Sequence, residues 1–147
     1  MTGASKVVFF LVMVLLATGC VNRATATWDP SAGPADIKSF YVIKLGPDER
    51  GINKLIADKL VTMGYQATTG LGVNIAPDVD VVVEYKDKWM WDITMYMIEL
   101  TITFLEPKTD IPLASGNSFH ASLTRKSPQE MVDEVLTNIF KEAKGPR

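Results

Sequence analysis

The chain has one cysteine and one histidine in 147 residues. A lone cysteine forms no internal disulfide, and the two together leave little material for a metal site or a Cys/His catalytic couple. No basic stripe stands out: Lys+Arg 15 against Asp+Glu 17 gives a formal charge of −2, so nucleic acid is not an expected partner. No Gly-x-Ser-x-Gly elbow occurs, and Gly70-Leu71-Gly72 lacks the following helix and the Lys-Ser/Thr pair of a phosphate cradle. The expectation is therefore no enzyme, no cofactor and no metal. A hydrophobic share of 47% speaks against a disordered chain, and the length suits one folded domain.

What is present begins at the front. Lys6 precedes the apolar run from Val7 to Ala17, which is too short for a membrane span of roughly twenty residues. A positive start, a short apolar core and small residues at its end mark a secretory signal peptide. Leu16-Ala17-Thr18-Gly19-Cys20 resembles the bacterial lipobox, in which the cysteine is lipidated and becomes the first residue after cleavage. The resemblance implies a signal peptide over 1–19 and acyl chains on Cys20 as the membrane anchor. With Val21 rather than an aspartate next, it implies the periplasmic face of the outer membrane. Residues 20–37 are mostly small and polar and are punctuated by Pro30, Gly33 and Pro34. They are expected to form the lipidated N-terminus and a flexible tether, with the folded domain over 38–145.

Within that domain, Ser39–Leu45 is rich in β-branched and aromatic residues and predicts a strand. Ile52, Leu55, Ile56, Leu60 and Met63 recur at helical spacing before Gly64. The centre of the chain, Val79 to Glu106, predicts an antiparallel hairpin. Val79, Val81, Val83 and Tyr85 lie opposite Asp80, Glu84 and Lys86, and Tyr96, Ile98, Leu100, Ile102 and Phe104 lie opposite Glu99, Thr101 and Thr103. After Leu113–Leu123, an expected last strand, Ser127-Pro128-Gln129-Glu130 writes a capping box, and an apolar stripe from Met131 to Phe140 follows it. His120 lies in the Ser118-to-Ser122 row of the last strand and is expected on its solvent face.

The hairpin carries a break of phase. Trp89, Trp91, Ile93, Met95 and Met97 fall on the row that later holds Glu99 and Thr101. Either a β-bulge near Met97 resets the alternation and puts these residues under the helices, or there is no bulge and they form an exposed apolar stripe. The second form makes Trp89, Trp91, Ile93, Met95 and Met97 a candidate partner-binding surface.

The order of elements predicts an α+β two-layer sandwich: a mostly antiparallel sheet of about four to five strands with two helices on one face. Together with Leu60–Tyr65, Pro77–Tyr85 and the Ser-Pro-x-Glu helix, this plan resembles small Gram-negative outer-membrane lipoprotein domains of unknown function. The expected function is that of a non-catalytic structural or assembly adaptor in the cell envelope, binding a protein partner through the apolar hairpin face and held to the membrane through Cys20. The alternative is a periplasmic carrier of a lipid or other apolar ligand, using the methionines and tryptophans of the hairpin as an adaptable floor.

Overall fold

The computed structural model describes residues 22–46 and 48–145; the expected signal peptide and Cys20 lie outside the described residues. In chain order the elements are β1 (Arg23–Trp28), β2 (Ser39–Ile43), α1 (Ile52–Thr62), β3 (Gln66–Gly70), β4 (Val81–Asp92), β5 (Thr94–Leu105), β6 (Pro112–Phe119) and α2 (Pro128–Ala143). One six-stranded sheet has the order β1-β6-β5-β4-β2-β3. Strand β2 runs parallel to both β3 and β4, and the other pairs are antiparallel.

The α+β class stands, but the sheet is mixed and has six strands rather than four or five. Each difference has a local cause. Helix α1 lies between β2 and β3, and a helical crossover returns the next strand parallel. The sixth strand comes from the segment expected to be a tether. Ala24, Ala26 and Trp28 alternate with Arg23, Thr25 and Thr27, a period of two written in residues too small and too polar to register as a hydrophobic pattern. Ala26 and Trp28 pack on the core. The Trp28 indole N–H donates to the Ala32 carbonyl at 2.8 Å, which closes the turn after β1.

The two helices pack against each other and against the sheet. Phe40, Leu60, Ile102, Phe104, Leu136 and Ile139 are fully buried between the layers, each such burial contributing about 1.5–3 kcal/mol. Tyr65 stacks on Phe140 at 4.9 Å, and Phe40, Phe104 and Trp28 surround that pair. Helix α2 starts where its capping box requires. Ser127 Oγ accepts from the Glu130 N–H, and the Glu130 carboxylate accepts from the Ser127 N–H at 2.8 Å.

Strand β6 turns the other way from its expected orientation. Its buried row is Ala114, Gly116 and Ser118, whereas Leu113 and Phe119 are half-buried and Leu123, beyond the strand, is exposed. Close packing of α2 decides this. A Cβ on Gly116 would stand 2.8 Å from Ile139 Cγ1 and 2.9 Å from Val135 Cγ1, so the row under the helix has to be small.

Candidate functional site

Strands β4 and β5 form a hairpin that runs on past the rest of the sheet. Lys88 faces Glu99, but the next pair is Trp89 with Met97. Ile98 is therefore left over as a bulge, and its carbonyl accepts from the backbone N–H of His120 at 2.9 Å. The bulge turns Met97 inward, where it is 1% exposed. Trp89 packs against the core beside it, with the Arg50 guanidinium 4.1 Å over its ring.

Trp91 and Met95 continue the same row beyond the cover of the helices. Trp91 is 71% exposed, Met95 48% and Ile93, at the turn, 89%. Ile93 has φ 54, a left-handed conformation that a β-branched residue adopts only under strain of order 1–3 kcal/mol. The expected five-residue stripe is thus divided. Met97 and Trp89 belong to the fold, which corrects their assignment to a partner surface, while Trp91, Ile93 and Met95 form the exposed end. Neither sequence-level alternative holds in full, because the bulge exists and the helices still do not reach the tip. Met90, which sequence alternation did not single out, adds exposed apolar surface on the other side of the hairpin.

The segment after β6 is lashed to this end. Arg125 Nη1 donates to Thr94 Oγ1 at 3.0 Å, its guanidinium lies 4.6 Å over the Tyr96 ring, and Ser122 Oγ hydrogen-bonds Asp92. Thr124 Oγ1 hydrogen-bonds the side chain of Asn22. Across the sheet, Arg23 is level with Phe119, Glu99 and Lys88. The chain before Arg23 therefore meets the domain at the end from which the hairpin projects.

A second constellation lies under α2. His120 is 5% exposed, not on a solvent face. Its Nε2 sits 2.7 Å from Glu134 Oε2, Ser118 Oγ donates to the same oxygen at 2.5 Å, and Lys126 Nζ donates to Oε1 at 2.6 Å. Burial pushes the Glu134 carboxyl up, but these three donors outweigh it and hold the pKa down at about 2. Serine and histidine converge on one carboxylate oxygen instead of on each other, and Ser118 is wholly buried. The arrangement ties β6 to α2 and does not prime a nucleophile. A comparable lock precedes α1. Asp48 accepts from the N–H groups of Arg50 and Gly51 at 2.9 Å and from Tyr85 Oη at 2.6 Å. Burial raises its pKa, and these bonds, led by Tyr85, bring it below the usual carboxylate value. Among the described residues, no group of three His, Cys, Asp or Glu side chains is placed to hold a metal ion.

No protein-family model matches the chain, and no curated protein matches it either. Solved structures do. A PelC dodecamer from Paraburkholderia phytofirmans aligns with TM-score 0.58 at 14% identity, over 81% of this chain and 98% of that one. A point variant of the same dodecamer gives 0.59 at 12% identity, over 80% and 97%. A PDZ domain protein from Parabacteroides distasonis gives 0.50 at 11% identity, over 87% of this chain and 36% of that one. These likenesses show a shared fold, and at such identities they show the fold alone.

Proposed function

We propose that the chain is a lipid-anchored periplasmic lipoprotein acting as a non-catalytic structural or assembly adaptor in the cell envelope, held at the periplasmic face of the outer membrane through acyl chains on Cys20. One observation carries the reading. A domain with a filled core presents a tryptophan, an isoleucine and a methionine together at a strained, projecting hairpin end. Large apolar side chains grouped in water favour burial against another component of the envelope, lipid or protein. The fold likeness adds support for assembly, since PelC is found as a dodecamer.

The carrier reading has a specific observation as well. An open depression of about 740 Å³ lies at the opposite end, lined by Met63, Phe140, Lys141 and Lys144. An apolar ligand would lie on a surface such as this one rather than inside the domain, because the space between helices and sheet is filled by Phe40, Leu60, Ile102 and Phe104. The adaptor is tested by fractionation and cross-linking. Cys20→Ala should leave the circular dichroism of the domain unchanged and move it out of the membrane fraction. Cross-linking of the anchored protein in its native membrane should give discrete larger species. A Cys20→Ala protein that still pellets and resists carbonate removes the anchor. An anchored protein that stays monomeric at every cross-linker level removes the adaptor.

A further inference from the structure

The hairpin end and Asn22, which precedes β1, are joined by one network of side chains. Asn22 is tied to Thr124, and Thr124 lies in the segment whose Ser122 and Arg125 are bonded to Asp92 and Thr94 at the hairpin turn. Cys20 stands two positions before Asn22, at most about 7 Å of extended chain. Acyl chains on Cys20 would therefore enter the bilayer beside the turn, with no slack to hold the domain away from the lipid. The structure points to a lipid bilayer as the occupant of this end: we infer that Trp91, Ile93 and Met95 dip into the headgroup layer next to the anchor. This rests on the lipidation of Cys20 put forward above.

The chemistry of the tip suits that occupant. Tryptophan is favoured at membrane interfaces, where its ring and its N–H meet different surroundings. Isoleucine and methionine add apolar area that an interface element buries to a depth of roughly 5–10 Å. Three of the neighbouring cations are already paired with carboxylates, Arg125 with Asp92 at 3.5 Å, Arg23 with Glu99 at 3.5 Å and Lys88 with Glu99 at 3.0 Å, and Arg50 is turned onto the Trp89 ring. Apolar burial rather than lipid charge then drives the contact, and zwitterionic lipid should serve nearly as well as anionic lipid. A two-point attachment, acyl chains and tip, fixes the orientation of the domain, whereas acyl chains alone leave it free to swing. The helices and the polar sheet face, with Thr101, Thr103, Ser115 and Asn117, are then presented to the periplasm.

The test uses the protein purified from the envelope and bound to phosphatidylethanolamine vesicles with brominated acyl chains. Bromine quenches tryptophan only at contact range. Trp28 is packed against Phe104 and Phe140, and Trp89 lies under Arg50, so the quenchable fluorescence should belong to Trp91. Wild type should lose much of its emission, and Trp91→Phe should show almost none of that loss. Equal quenching in the two proteins overturns the inference. The doubly charged variant Ile93→Asp/Met95→Asp should keep the wild-type melting temperature and weaken vesicle binding about tenfold. If it instead changes the oligomer mass in light scattering and leaves quenching unchanged, the tip contacts protein and the inference falls. The mass of the N-terminal peptide reads the acyl chains separately. Failure of the anchor and failure of the tip are therefore distinct results.

Discussion

Replacing Glu134 by glutamine removes a carboxylate that Ser118, His120 and Lys126 share, at nearly constant shape. Glu134 has its pKa depressed to about 2 from an ordinary 4.5. With one pKa unit equivalent to about 1.4 kcal/mol, the charged form is favoured in the folded state by about 3 kcal/mol. The side chain is one-fifth exposed, so most of that should survive solvent screening, and we expect Glu134→Gln to cost about 2–3 kcal/mol at neutral pH. For a domain of this length that is a fall of roughly 10 °C in melting temperature. A depressed carboxylate gives its full stabilisation above its unfolded pKa and loses it as pH falls toward the folded one. The wild type should therefore lose this advantage between about pH 4.5 and pH 2, and the variant, which cannot titrate there, should not. Urea unfolding followed by circular dichroism at pH 7, 4 and 2.5 measures the gap. A gap that is negligible at pH 7, or that persists unchanged at pH 2.5, would refute the argument that charge at Glu134 holds β6 to α2.

Two further outcomes follow from the packing. Gly116→Val should destabilise by at least the 1–3 kcal/mol typical of overpacking, because even its first carbon would overlap Ile139 and Val135; Gly46→Ala, with nothing within 4 Å, should be neutral in the same thermal melt. Asp48→Ala should cost about 2 kcal/mol by leaving the Arg50 and Gly51 N–H groups and the Tyr85 hydroxyl without their acceptor, and because its pKa is lowered in the fold, the difference from wild type should shrink in acid.

Elements whose pattern is written in large side chains were legible in the sequence. The stripe from Met131 to Phe140 is buried as its spacing requires, and the alternation from Leu100 to Phe104 faces the core. Strand β1 was not legible, because its inward row is two alanines and one tryptophan. The orientation of β6 has a related cause. Leu113 and Phe119 are its larger apolar residues, but the close approach of α2 reserves the inner row for Ala114, Gly116 and Ser118. The burial of His120 depends on Glu134 from a different element. Nothing within the strand's own sequence announces a partner 14 residues away.

The hairpin shows how one residue can divide a surface. From Leu100 back to Trp91 and Met95, the two-residue period fails at a single step, and Ile98 absorbs the failure. Had the strand stayed regular, Met97 would share the row of Glu99, and the polar face of the sheet would carry a greasy stripe along its length. With the bulge, Met97 is drawn inward to face Trp89, which continues the inward row of Val83 and Tyr85 on β4, and only the part of the stripe beyond the helices reaches water. The bulge thus keeps Met97 off the flat face and leaves the middle of that face as a ladder of threonine, serine, asparagine and paired charges. A flat apolar face would invite contact from any direction, whereas an apolar tip admits contact from one. That tip projects from the end of the sheet at which β1 begins, so the exposed Trp91, Ile93 and Met95 share one end of the domain with Asn22 and Arg23.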